Sequence, residues 1–296
     1  QGAMDLTGKD AGGNKAHVTG FAMLASGDIT IDAALTGGSG IILSAGATFT
    51  PALGAGPSKG LPGATLTINA PVTSTGAGTI AFGAGTGGIA INSTVSTTGG
   101  TVNLLTTGAV TEAATGKVIA DTLIGTVNGN MQLSASNANA IATLGDFAVT
   151  AGTLALKDSV ALSVTGAVSG TDVALTSTAT GTALSIAGTV DASGTASLAA
   201  TVGKLDITST GTVSGATAVV LNGAAGITET GVLSGGTLSG GSTAGGASLT
   251  GAATTQNDIA ALGDFSTKLD FVLDDATVLH VTGTVMAPNV SLTSIV

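Results

Sequence analysis

An apolar cadence returns along this chain every 22 to 23 residues, and nothing else in the sequence constrains the fold as much. Ile68, Val72 and Phe82 line up with Ile91, Val95 and Leu104. Further on, Leu162, Val164 and Val168 are echoed by Leu184, Ile186 and Val190. Val173 and Leu175 reappear as Ala196 and Leu198, then as Val219 and Leu221. A unit this short cannot enclose a core alone, so successive units must stack and bury one another. Within each unit apolar residues alternate as in strands, while Gly, Ser, Thr, Asn and Asp fill the corners. The cadence therefore predicts an all-β chain wound as a right-handed parallel β-helix, a solenoid with coils of about 22–23 residues.

Composition agrees. Of 296 residues, 48 are Gly and only 2% are aromatic, with no Trp or Tyr, so the core must be built from Val, Ile, Leu and Ala. Gly and Asn are expected to supply positive-φ corners. Seven Lys, no Arg and 17 acids give a formal charge of −10, which lacks the basic footprint of a nucleic-acid binder and disfavours anionic membrane surfaces. Mean hydropathy is positive, which argues against disorder. Without Cys there is no disulfide framework and no thiolate metal site. No apolar run is long enough for a transmembrane helix. The opening Gln-Gly-Ala-Met reads as a tag remnant over 1–4, leaving 5–296 as one helical segment.

Residues 44–65 interrupt the cadence with Pro51, Pro57 and Pro62, and predict a loop outside the helix. A longer repeat overlies the short one. Asn139-Ala-Ile-Ala-Thr-Leu-Gly-Asp-Phe147 matches Asn257-Asp-Ile-Ala-Ala-Leu-Gly-Asp-Phe265 at an offset of 118, and the block 108–177 parallels 226–294. Each block has the size of a β-sandwich, but the short period runs through the first block and into the second. The blocks therefore read as duplicated stretches of one rod. About a dozen coils at a ~4.8 Å spacing make it on the order of 55 to 60 Å long.

The duplicated pattern resembles repeats in filamentous-haemagglutinin-like exoproteins. It is carried by Val110-Thr-Glu112 and Ile227-Thr-Glu229, then Thr122-Leu123 and Thr237-Leu238. The Asn-to-Phe segments follow, and after them Leu162-Ser-Val-Thr-Gly-Ala-Val168. The resemblance covers most of residues 27–296. It implies a segment of a large secreted β-helical adhesin on the surface of a Gram-negative bacterium, exported by an outer-membrane partner. On that reading it contacts a host-cell, matrix or polysaccharide ligand through its outer faces or the 44–65 loop. A passive stalk is the bland form of this reading, and a polysaccharide lyase or hydrolase is the alternative of a different class. The scarcity of aromatic and basic residues argues against a sugar-cleaving cleft, so no enzyme activity and no cofactor are expected.

The candidate chemistry is sparse. Glu112 and Glu229 are the only glutamates; five coils, or roughly 25 Å, separate them, too far for a glycosidase pair. They read as exposed corner residues. Asp270, Asp274 and Asp275 form the densest acidic group, and Asp270 with Asp274, outward beside inward Phe271 and Leu273, make a weak Ca²⁺ candidate. His280 is expected to point outward, and His17 is unrelated to it, so neither a transition-metal site nor a Ser-His-Asp triad is expected. The string Gly83-Ala-Gly-Thr-Gly-Gly88 precedes a strand pattern and not a helix, so it is no dinucleotide fingerprint. Phe147 and Phe265, with Leu144 and Leu262, read as core filling. Threonine rows at Thr176, Thr178, Thr180 and Thr182, and at Thr208, Thr210 and Thr212, suggest an ice-binding array only if other coils shared them. Asn69 and Asn92 share a corner where they could form an amide ladder, with Asp32 displaced from it by the Pro-rich loop. Left-handed corner residues are the simpler reading of all three.

Overall fold

Val72 stacks on Val95, Phe82 on Leu104, Leu162 on Leu184 and Val173 on Ala196, as the cadence requires. These pairings come from a computed structural model that describes residues 20–46, 62–135, 138–252 and 256–294. Residues 1–4, His17 and most of the interrupting segment lie outside the described residues. Every paired strand is parallel to its neighbours, and no helix occurs among the described residues. The chain is a parallel β-solenoid of about 12 turns.

Each early coil contributes three strands. Face A holds Ile29–Ile31, Thr65–Ile68, Gly88–Ile91 and Val110–Glu112. Face B holds Leu35–Gly37, Val72–Ser74 and Thr94–Thr97. Face C holds Gly40–Ala45, Thr79–Ala84 and Thr101–Thr106. Along a strand such as Thr101–Thr106, half-exposed and buried residues alternate strictly. That is the two-residue period of a sheet wet on one side. The interior is a continuous column of Val, Ile, Leu and Ala, filled out by fully buried Phe82, Phe147, Phe265 and Phe271.

The bounds of the interruption shift slightly. Ser44 and Ala45 belong to the strand Gly40–Ala45 and Thr65 opens Thr65–Ile68, while 47–61 lie outside the described residues. The interruption does not displace the coils on either side. Ile29 and Ile31 stack directly on Leu66 and Ile68.

Two corrections concern the corners. Positive φ is confined to Gly, as at Gly88 and Gly99; no described residue of another type adopts it. Asn and Asp hold corners by hydrogen bonding instead. Asp28 accepts from the Thr65 amide, Asn130 from that of Thr153 and Asp172 from that of Thr195, each one coil on. Nor is Asp32 displaced from the amide ladder. Asn69 donates through Nδ2 to Asp32 Oδ1 at 2.8 Å, and Asn92 donates to Asn69 Oδ1 at 2.9 Å.

The faces do not run unbroken. Face B ends at Ala140-Ile141, which stack on Ile119-Ala120 and have no strand above them among the described residues. At the same level face C divides. Thr143-Leu144 carry the strand Leu162–Val164, whereas Phe147-Ala148 carry the separate strand Ala167–Gly170. The new corner grows coil by coil. Asn103 alone separates Val102 from Leu104, and Ile124 alone separates Leu123 from Gly125. Gly145-Asp146 separate Leu144 from Phe147, and Thr165-Gly166-Ala167 separate Val164 from Val168. We call the halves C1 and C2; from here each coil runs A, C1, C2.

The second block repeats the manoeuvre one face further round. Face C2 ends at Asp258-Ile259, stacked on Ser234-Gly235, and face A divides above the strand Asp258–Thr267. Ser239 separates Leu238 from Gly240, Gly263-Asp264 separate Leu262 from Phe265, and Thr282-Gly283-Thr284 separate Val281 from Val285. The duplicated blocks are therefore joints at which one face ends and another splits. Each joint turns the repeat pattern by one face relative to the rod.

Candidate functional site

Terminating a sheet face inside a stack leaves backbone amides that would have met the next strand, and buried amides must find partners. Both joints meet that demand with the same three side chains. Glu112, Asn139 and Asp158 serve the first, and Glu229, Asn257 and Asp275 the second. All six are buried, Asn139 and Asn257 completely.

At the second joint Asn257 Oδ1 accepts from the Leu233 amide at 2.7 Å, while its Nδ2 donates to Glu229 Oε2 and to the Asp274 carbonyl. Glu229 Oε2 also accepts from the Gly251 amide at 3.0 Å. Asp275 Oδ1 accepts from the amide of Ile259, in the last strand of the ending face, and Oδ2 from the amide and hydroxyl of Thr277. The first joint matches. Asn139 Oδ1 accepts from Val118, and its Nδ2 donates to Glu112 Oε2 and to the carbonyls of Leu133 and Lys157. Asp158 Oδ2 accepts from Ile141 and Oδ1 from Val160. The carboxylate thus stands where the next strand's carbonyl would have been.

The Gly-Asp of each joint starts the new corner. Asp146 Oδ1 accepts from the Ala167 amide at 2.9 Å, and Asp264 Oδ1 from the Thr284 amide at 2.7 Å. Above them, a Cβ on Gly166 would lie 2.4 Å from the Asp146 nitrogen, and one on Gly283 would lie 2.3 Å from that of Asp264. No side chain fits there. Phe147 and Phe265 fill the interior beneath the split beside buried Leu144 and Leu262, as expected, and Phe265 stacks on Phe271 with ring centroids 4.4 Å apart.

The glutamates are consequently not exposed corner residues. In Val110-Thr-Glu112 and Ile227-Thr-Glu229 the alternation is inward, outward, inward, and each acid points into the rod. They also lie on different faces, Glu112 on A and Glu229 on C1, so they do not act as a pair. Burial raises the carboxyl of Glu229 above the ordinary glutamate range, opposed by the bonds from Asn257 and Gly251. Desolvation likewise raises Asp158 to about 6, despite three backbone amides that favour its charged form.

The acidic group near the end of the chain separates. Asp275 is fully buried, whereas Asp270 is exposed and accepts from Asn289 Nδ2 at 2.7 Å. Asp270 lies just before the strand Phe271–Asp275 that carries Asp274, and four residues of extended chain span about 13 Å, too far for one Ca²⁺ bonded at ~2.4 Å. Among the described residues, no three His, Asp or Glu side chains converge on a metal position. His280 is exposed, as expected, and pairs with Ala261 through its backbone. The string Gly83–Gly88 leads into the strand Gly88–Ile91. Several row threonines bond the coil beneath instead of forming a flat array. Thr178 donates to the Asp158 carbonyl, Thr208 to Ile186 and Thr210 to Ala187.

On the outer surface each joint leaves a shallow, open cleft. One of about 500 Å³ at the first joint is lined by Asn103, Leu105, Ile124, Asp146, Ala167 and Ser169. Another of about 610 Å³ at the second includes Asn222, Gly241, Ser266 and Lys268. No helix among the described residues is long and apolar enough to cross a membrane. Comparisons with protein-family models, with curated proteins and with solved structures returned no match.

Proposed function

We propose that this chain is a rod segment of a large, surface-exposed or secreted bacterial exoprotein of the filamentous-haemagglutinin-like kind, presenting its outer faces for adhesion. The observation that carries the reading is where the polar motifs of the duplicated blocks go. Glu, Asn, Asp and Gly-Asp are all engaged in winding the solenoid, so the shared sequence serves continuity of the rod. What remains for partners is the exterior, which is small-residue, poor in charge and shallowly clefted at the joints. The joints then set which face each coil turns outward. Export through an outer-membrane partner and attachment to a host-cell, matrix or polysaccharide ligand follow from the sequence resemblance and belong to the same proposal.

Saturable binding of the purified chain to host cells, matrix proteins and polysaccharides tests it. A variant with residues 47–61 replaced by a Gly-Ser linker, and one with Ile124 and Leu105 changed to Ser at the first cleft, run in parallel. Saturable binding that either variant loses supports adhesion and locates the contact. The absence of saturable binding to every member of the panel sinks the adhesive part and leaves a spacer whose role is reach.

A further inference from the structure

Glu229 is 1% exposed, and one of its two oxygens, Oε1, is buried and makes no hydrogen bond, although the Gly231 amide lies close enough to the carboxylate to favour its charged form. Asp158, equally buried at the first joint, accepts from backbone amides alone. The charged side chains on the strands packed around Glu229 face outward: Lys204 and Asp206 below it, Asp258, Asp264 and Asp274 beyond it. Among the described charged residues, only Asp275 shares its interior. Around Asp158 the corresponding outward groups are Lys117, Asp121, Asp146 and Lys157, and the interior acid is Glu112. Among the described residues, neither carboxylate therefore has a cation packed with it inside the rod at its own level, and each is held where only the neutral form escapes the penalty of desolvation.

We propose that the joints are proton-binding elements: Asp158 and Glu229 take up protons in mildly acidic solution, and the rod is more stable near pH 5 than above pH 7. The direction follows from linkage. A carboxyl that binds its proton more tightly folded than unfolded adds stability that is complete below the ordinary carboxylate range and lost as the pH rises through its folded value. For Asp158, moved from 3.8 to about 6, the folding equilibrium constant gains about tenfold between pH 7.5 and pH 5. Glu229 adds to it in the same direction. The device runs opposite to ordinary acid denaturation, in which paired carboxylates are lost.

Urea unfolding of the whole chain from pH 8 to pH 5 tests this, at high salt so that the exposed carboxylates are screened. The wild-type midpoint is expected to rise as the pH falls. The double variant Asp158→Asn, Glu229→Gln is expected to show little change across that range. A control, Asp191→Asn on the outer surface, keeps the wild-type slope. A wild-type midpoint that is flat or falls on acidification overturns the proposal, as does a double variant that retains the slope. Should the double variant fail to fold, infrared spectra of the wild-type chain decide. A protonated-carboxyl C=O band persisting at pH 6 supports proton binding, and its absence there overturns it.

Discussion

The coils between the joints and the joints themselves use the same stacking unit for different ends. In the regular stretch, Leu175, Leu198 and Leu221 stack on one another, beside Val173, Ala196 and Val219, and all six are fully buried. Little besides apolar side chains is needed there, because each strand's amides meet the next strand's carbonyls. At a joint one strand has no successor, and the interior takes in a glutamate, an asparagine and an aspartate. Ending a face demands side chains that imitate a backbone, while continuing one demands only a well-filled core.

The largest expected effect comes from breaking that imitation. Asn257→Leu keeps the branched shape but leaves the buried Leu233 amide unmatched, and takes one donor each from Glu229 Oε2, which keeps the Gly251 amide, and from the Asp274 carbonyl. At about 1 to 3 kcal/mol for the unmatched amide and about 1 kcal/mol for each further bond, the loss is about 3 kcal/mol or more. Leu198→Met in the regular stretch is nearly volume-neutral and is expected to lose under about 1.5 kcal/mol. Denaturant unfolding of the two variants measures the contrast, and equal losses would break the distinction between joint and coil.

Next comes the new corner. Gly166→Ala and Gly283→Ala place a methyl against the backbone of Gly145-Asp146 and Gly263-Asp264, and each is expected to lose about 2 kcal/mol by overpacking. Gly99→Ala meets no atom within 4 Å and carries only the strain of its left-handed φ of 67°, about 1 kcal/mol. Asp146→Ala removes one hydrogen bond at an exposed corner, also about 1 kcal/mol. Its signature is local: hydrogen exchange at the Ala167 amide should quicken while that at Val173 stays slow.

The regular coils are almost wholly legible from the residues, because a strand's period of two and a stack's fixed register leave one answer for Leu162, Val164 and Val168. The joints are legible only in part. The duplication from Asn139 to Phe147 is plain, and Phe147 reads correctly as core. Alternation alone also places Glu229 inward beside Ile227, and Asp275 inward beside Phe271 and Leu273. The prior that carboxylates face water hides this, and it fails where a carboxylate replaces a strand. The turning of the pattern by one face is invisible in sequence, since it depends on which distant strand stacks on which.

The smallest effect separates exterior from interior polar stacks. Asp32, Asn69 and Asn92 form a ladder on the surface, where water competes for every bond. A carboxylate at pH 7 only accepts, so Asp32 obliges Asn69 to turn its Nδ2 downward and leaves Oδ1 for Asn92. Asp32→Lys replaces an acceptor by a donor. The two amides are then expected to flip together, Asn69 accepting from Lys and donating to Asn92. The loss should be about 0.5 kcal/mol, because an exposed ladder that can reverse leaves nothing unmatched. Side-chain amide resonances of Asn69 and Asn92 would report the reversal. A loss as large as that of Asn257→Leu would mean that this surface ladder, too, bears on the winding of the rod.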